Sequence, residues 1–488
     1  MAHLSPREIA RDFLYISAAR TVSLGVSLVR SLFIPRLLGP SAYGMWKSLG
    51  IIQSYTQFSD LGALAALKRE IPYHAQRDDR ERLAEVRDVA FLVNNVAVLL
   101  AAALVLLGSA VVNDPAAARA LRLFVLLLYA NHVHTFLEQL LYGRKEFAYA
   151  SKVNLGLSLV EAVLAVGGTL IAGLDGLILG TSCGYAMAVL VQLRRIRFSI
   201  GFAFRWAAYV DLVKIGFPSH LNGLLYNLLM SVDRMLILPV LGLPALGLYG
   251  LGMTINEYLF QFSYALGSAL SPRLVERFSE TRSVAALRPM VERPTLAIAA
   301  AAPALLGPVY FLSEAVVLVA LPEYRGALLP LRILLAGTYF SSLHRGLSSL
   351  FLALRKQGRL LPVYAGAILL NAALVSAALA AGWGIAGVAA ATSVTLMAFS
   401  LTLVTMAMAF FLEGAAAHLR FLGRLLLPLV WGAAGIAAGE AAARAAGGAA
   451  RPVIASAVGV AVFAAVYAPS LPSAYRRLRA PAPAPSGA

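Results

Sequence analysis

Residues Gly216 to Gly250 read GFPSHLNGLLYNLLMSVDRMLILPVLGLPALGLYG. Most of this stretch is apolar enough for a membrane helix, yet Asp233 and Arg234 sit inside it. It then runs into LGLPALGLYG, where glycine and proline punctuate a short turn before another apolar run. A version of the same phrase lies near the N-terminus, from Arg30 to Gly44, as RSLFIPRLLGPSAYG. In both, an arginine is followed five residues later by a proline, Pro35 and Pro239, then by Leu-Gly, and the phrase ends in Tyr-Gly. The offset between copies is 204 at Arg and Pro and 206 at Tyr-Gly, so the second turn is longer. A phrase repeated at this distance predicts two related halves, each opening with a helix, a tight turn and a second helix, as in many transporters.

Composition sets the environment. The chain of 488 residues is 60% hydrophobic and 13% charged, against about 25% charged in an ordinary soluble protein. Apolar stretches of about 20 residues, the length that spans hydrocarbon, recur from end to end. The fold class expected is therefore all-α, a polytopic membrane protein of about fourteen transmembrane helices. The spans are placed at 9–35, 42–66, 87–112, 117–142, 150–172, 176–195, 209–238, 245–272, 290–320, 328–353, 360–381, 385–412, 419–440 and 451–470. The single cysteine, Cys183, excludes a disulfide within the chain. MAHLSPREIARDF carries no small-residue cleavage site, so no removable signal peptide is expected.

The net charge of +17 invites a nucleic-acid reading, but its distribution gives a simpler one. The terminal tails and the even-numbered loops hold 29 of the 41 Lys and Arg, and the odd-numbered loops hold 7. The positive-inside rule then places both termini in the cytoplasm of a cell whose inner membrane holds the protein. No nucleic-acid partner is needed. The tail APAPAPSGA is Pro/Ala-rich and reads as disordered.

Motifs for catalysis, metal binding or cofactor binding are absent: there is no GxxxxGK[ST], HExxH, CxxC or GxSxG. His132 and His134 stand two apart, which points them to different helix faces. Polar residues within the spans do fall in stripes at helical spacing. Arg20, Ser23, Ser27 and Arg30 share a face of the first span, Gln53, Gln57 and Asp60 of the second, and His220, Asn227, Ser231 and Arg234 of the seventh. Glu257, Gln261, Tyr264 and Ser268 do so in the eighth, while the fourth and fifth offer His134 with Glu138, and Asn154 and Ser158 with Glu161. An ionisable group in hydrocarbon costs at least about 2.5–3.5 kcal/mol, so such groups face a bundle interior or a wet cavity. Arg20, Arg30, Arg234, Gln53, Gln57, Asn227 and Gln261 are accordingly candidates for substrate binding. Asp60, Glu138, Glu161 and Glu257 are candidates for ion coupling. Hydrogen bonds between helices, with no substrate role, are the competing explanation of the uncharged members, and Asp233, which points away from the Arg234 face, reads as structural.

LLGPSAYG after the first span, FSDLGALAALKRE closing the second, YGRKEF after the fourth and GFPSHLNGLLYNLLMSVDRMLI…LGLYG resemble the polysaccharide-transporter branch of the multidrug/oligosaccharidyl-lipid/polysaccharide exporter superfamily. The resemblance implies two six-helix lobes related by a pseudo-twofold axis, at 1–205 and 206–414, accessory helices at 415–472 and a cytoplasmic tail at 473–488. It also implies a flippase that moves undecaprenyl-pyrophosphate-linked oligosaccharide by alternating access for surface polysaccharide biosynthesis, among polymerase and glycosyltransferase partners and membrane lipid. Arg20 and Arg30 suit the lipid phosphate by residue type and by helix. The alternative is a proton- or sodium-coupled multidrug antiporter of the same superfamily, whose acidic cavity the two arginines oppose. A membrane polymerase or ligase would carry a large outer loop, which this chain lacks. A non-transporting assembly partner is the remaining reading.

Overall fold

The computed structural model describes residues 6–196, 201, 204–344, 346–447 and 451–471, leaving aside the side chains at 6–17, 219, 260–269 and 271–272. The described chain is helical, in the order α1 (Pro6–Thr56), α2 (Ala63–Gln76), α3 (Arg80–Val111), α4 (Pro115–Gly143), α5 (Phe147–Ile196), α6 (Trp206–Leu229), α7 (Val232–Thr281), α8 (Arg288–Ala320), α9 (Leu328–His344), α10 (Ser348–Ala353), α11 (Leu360–Ala380), α12 (Gly384–Met408), α13 (Ala415–Ala445) and α14 (Pro452–Tyr467). Ten helices among the described residues are long and apolar enough to cross a membrane, and α14 is a shorter apolar one. Three of the ten run through a bend and hold two expected spans each. With each of those three counted twice and α14 added, the helices cover the fourteen expected spans.

The bends show how the repeated phrase works. Gly39 in α1 has φ 69° and ψ 171°, and Gly242 in α7 has φ 79° and ψ −178°. That region of backbone space is essentially closed to any residue with a Cβ. The Leu-Gly common to both phrases is thus the same glycine turn made twice. The turn in α7 reverses the chain: Tyr249 Oη donates to Asp233 Oδ2 at 2.5 Å, whereas sixteen residues of straight helix would separate them by about 24 Å. In α5 the turn falls at Ala172 and Gly173, and the two arms pack closely. A Cβ on Gly176 would lie 1.8 Å from the Gly168 carbonyl oxygen, and one on Gly180 would lie 2.1 Å from that of Leu164.

The chain divides into two compact units, Met1–Leu228 and Leu229–Ala488. In the first, Leu67, Phe136, Leu140, Leu141 and Leu212 form a core between α2, α4 and α6. In the second, Ile237, Leu246, Tyr249, Leu334 and Val388 join α7, α9 and α12. A separate cluster of Phe311, Phe463 and Tyr467 seats α14 on α8, and glycines of α13 and α14 meet the same rings. Large apolar side chains such as Ile171 (88% exposed) and Val111 (81% exposed) cover the outside. A soluble monomer does not expose apolar surface on this scale, whereas hydrocarbon accepts it.

Ion pairs sort by chain end in the first unit. Arg82–Asp211 (3.0 Å), Arg205–Glu85 (3.0 Å) and Arg195–Glu146 (2.9 Å) tie together the segments that follow the second, fourth and sixth spans. Arg119–Asp175 (2.5 Å) ties those that follow the third and fifth. Odd and even connections thus lie at opposite ends, as alternating spans require.

Gly176→Ala is expected to cost about 1–3 kcal/mol through overpacking of the α5 hairpin, read as a lower melting temperature of the purified protein. Gly167, where an added Cβ meets nothing within 4 Å, is the control, and Gly167→Ala is expected to be neutral or mildly stabilising. Equal effects at both positions would contradict the hairpin packing.

Candidate functional site

Two polar constellations lie inside the first unit. One joins α1, α4 and α5. Arg30 on α1 forms an ion pair with Glu161 on α5, with 24% and 13% of the side chains exposed. Tyr185, on the second arm of α5, lies within electrostatic reach of both, and its ring sits 5.5 Å from that of His134. His134 Nδ1 meets Gln192 Oε1 at 3.1 Å. One level along, Glu138 Oε1 accepts from Tyr142 Oη at 2.8 Å and from Asn154 Nδ2 at 2.6 Å. Arg20 is exposed and acts electrostatically on Tyr142. Two arginines and two glutamates therefore share one seam, each held by helix periodicity. Arg30 is charge-compensated there by Glu161.

The second constellation surrounds a break in the second span. Helix α1 ends at Thr56 and α2 starts at Ala63. Asp60, only 4% exposed, caps α2 by accepting from the backbone N–H of Leu64 at 2.6 Å and of Gly62 at 3.2 Å. His220 Nε2 on α6 stands 3.3 Å from Asp60 Oδ1 and lacks hydrogen-bond alignment. Gly62, at φ 92°, lets α6 approach, since a Cβ there would lie 2.7 Å from the Gly216 carbonyl carbon. The motif FSDLG is thus a cap followed by a close approach. A cavity of about 320 Å³ opens beside the break, lined by Gln57, Asp60, Lys68, Asn94, His132 and His220.

The other sequence candidates fall into different surroundings. Gln53 is half-buried on α1, where its backbone carbonyl accepts from Thr56 Oγ1 at 2.9 Å. Gln57 is exposed at the cavity rim. Asn227 Nδ2 donates to Ser54 Oγ at 3.2 Å, linking α6 to α1. In the second unit, Arg234 serves the break between α6 and α7. Its Nη2 donates to the Met230 carbonyl at 2.6 Å, and its Nη1 lies 3.7 Å from Glu257, which is 52% exposed. Asn371 Nδ2 reaches the Leu229 carbonyl at 3.4 Å. Asp233, 1% exposed, is bonded by Tyr249 and by Thr392 (3.3 Å). The Gln261 side chain lies outside the described residues, as do those of Tyr264 and Ser268. Tyr142, Tyr185, Gln192, Asn371 and Thr392 join these clusters without belonging to any stripe singled out in the sequence. His132 was visible there only as a histidine facing away from His134.

Residues 33–324 match the model of a family described as polysaccharide biosynthesis protein. No curated protein matches the chain. Among solved structures, the fold is similar to that of the lipid II flippase MurJ in its inward closed conformation, with a TM-score of 0.68 at 15% identity, covering 95% of this chain and 99% of that one. It is also similar to an inward-facing multidrug resistance MATE family transporter of the MOP superfamily, at TM-score 0.63 and 14% identity over 80% of this chain and 95% of that one. A MOP superfamily transporter from Pyrococcus furiosus, described as having a binding pocket of reverse polarity, follows at TM-score 0.59 and 14% identity over 85% and 96%. At these identities the likeness is one of fold.

The seam predicts a non-additive pair. Arg30→Ala or Glu161→Ala alone strands the partner's charge, while the double variant removes both. A double-mutant cycle on melting temperature is expected to give a coupling of about 1–3 kcal/mol. Additive effects would show that the pair carries no mutual stabilisation.

Proposed function

We propose that this chain, which belongs to the polysaccharide biosynthesis protein family, is a flippase for undecaprenyl-pyrophosphate-linked oligosaccharide. It works by alternating access, without catalytic chemistry of its own, in the inner membrane and with both termini in the cytoplasm. The observation that carries the reading is the pair of arginines, Arg20 and Arg30, that α1 brings to one polar seam. Arg30 meets Glu161, and Arg20, some way into the same helix, is exposed within electrostatic reach of Tyr142 beside Glu138. A guanidinium in that position suits a visiting anion, because its planar fork makes two charge-assisted hydrogen bonds to phosphate oxygens. The amide-rich surroundings suit the hydroxyls of sugars, while the prenyl tail has the apolar exterior available to it. Membership of a family described as polysaccharide biosynthesis protein supports a saccharide-bearing substrate over a soluble drug. Polymerase and glycosyltransferase partners follow from such a substrate, which one must make and the other consume.

Arg20→Ala is expected to leave the protein inserted and abundant but to abolish export of surface polysaccharide in cells lacking their own flippase. Arg20→Lys is expected to restore part of the export, since charge returns without the bidentate fork. Full export by an abundant Arg20→Ala protein would remove Arg20 from the substrate path.

A further inference from the structure

The turn that follows the tenth span has a counterpart after the fourth. Arg355 has φ 55°. Its N–H donates to the Leu352 carbonyl at 3.0 Å, and the N–H of Lys356 donates to that of Phe351 at 2.8 Å. Lys145 has φ 63°. Its N–H donates to the Tyr142 carbonyl at 3.0 Å, and that of Glu146 to Leu141 at 2.9 Å. Each position in one turn is 210 residues from its match in the other. This is the helix stop whose left-handed residue is ordinarily glycine, because a Cβ is disfavoured there. The other end of α11 shows the ordinary form. Gly382, at φ 73°, donates to Leu379 at 3.1 Å, and Trp383 donates to Ala378 at 3.0 Å. Arg355 therefore holds a place that the turn itself favours for glycine, and a strained residue of this kind directs attention to its side chain.

The two turns differ in charge. In the first, Lys145 is followed by Glu146, which pairs with Arg195 at 2.9 Å. In the second, Arg355 is followed by Lys356, and Arg359 comes one turn later. All three cations are exposed, and among the described residues no carboxylate forms an ion pair with any of them. From 324 to 412 the sequence contains no Asp or Glu, and the next acid, Glu413, is exposed. Phe410, in the connection after the twelfth span, gathers two of the cations. Lys356 Nζ lies 4.7 Å and Arg359 Cζ 6.0 Å from its ring centroid, and the ring rests on that of buried Phe351 at 5.8 Å. On the span side of Arg355, Leu352 is 45% exposed. Cations with an exposed apolar side chain just inward of them stand where hydrocarbon gives way to headgroups.

We propose that Arg355, Lys356 and Arg359, gathered on Phe410, form a binding site for the phosphate of an anionic phospholipid in the leaflet that adjoins this end of α11. The arginines offer planar forks to the phosphate oxygens and the lysine a point charge. A lipid is the occupant, and a soluble anion is not, because a lipid's own chains hold its headgroup at this depth and have Leu352 to lie against. Basic residues at the end of a span are drawn to anionic lipid in the same way. The site is independent of what the chain transports.

The purified full chain in detergent, titrated with phosphatidylglycerol and separately with phosphatidylcholine, tests this, with bound lipid counted by mass spectrometry of the intact complex. Phosphatidylglycerol is expected to be retained in preference to phosphatidylcholine. Arg355→Gly is the informative variant, because glycine relaxes the turn while the charge is lost. Its melting temperature without anionic lipid is expected to be equal or higher, and its affinity for phosphatidylglycerol about fivefold weaker, the scale of one basic residue at an anionic surface. Arg359→Gln leaves the left-handed position untouched and is expected to weaken binding to a similar degree. Lys145→Gly makes the same change in the charge-compensated turn and is expected to leave binding as it was. Equal retention of the two lipids overturns the site. So does an equal loss of binding in Lys145→Gly, which would show that the lipid answers to positive charge in general. Displacement of bound phosphatidylglycerol by millimolar inorganic phosphate would assign the cations to a soluble anion and overturn the lipid as occupant.

Discussion

Backbone amides and carbonyls cannot be left open in hydrocarbon, and this requirement decides where the chain is allowed to be irregular. At two of the interruptions, side chains take over lost backbone hydrogen bonds. At 57–62 the free amides go to Asp60 and the Thr56 carbonyl goes to Ser59 and His132. At 229–231 the Leu229 and Met230 carbonyls go to Asn371 and Arg234. The polar residues that make these spans look unusual for membrane helices are, in large part, there because the helices are broken.

The same economy governs charge. Arg30 with Glu161, and Arg234 with Asp233 and Glu257, place cations beside acids, as burial demands. Arg20 is exposed on the same seam as Arg30, and the cavity beside the break is lined by Asp60, Lys68, His132 and His220.

The fold was legible because hydrophobic length and glycine turns are local signals. The repeated phrase marked Gly39 and Gly242 through their shared Leu-Gly, and both adopt nearly the same left-handed conformation. The seam was half legible: the stripes carrying Arg20, Arg30, Glu138 and Glu161 do converge, since a stripe follows from helical spacing alone. The breaks were not. Nothing in the spacing of Thr56 to Ala63 separates an interrupted helix from a continuous one, because FSDLG reads equally as the end of a span. Arg234 appeared as a member of a polar face, and its bond to Met230 depends on a break that apolar flanking residues hide. His132 was obscured for the same reason. Its meaning comes from the carbonyl of Thr56, distant in sequence, and no periodicity connects the two.

The central claim, that this chain carries a lipid-linked saccharide from one leaflet to the other, is tested most directly with purified protein in sealed vesicles holding undecaprenyl-pyrophosphate oligosaccharide in the inner leaflet only. An impermeant enzyme that oxidises exposed sugars reads the outer leaflet over time. The account predicts that oxidisable sugar rises in vesicles containing the protein and stays flat in protein-free ones. A flat signal from folded, correctly inserted protein, in vesicles where the same preparation expels a cationic drug, would contradict it.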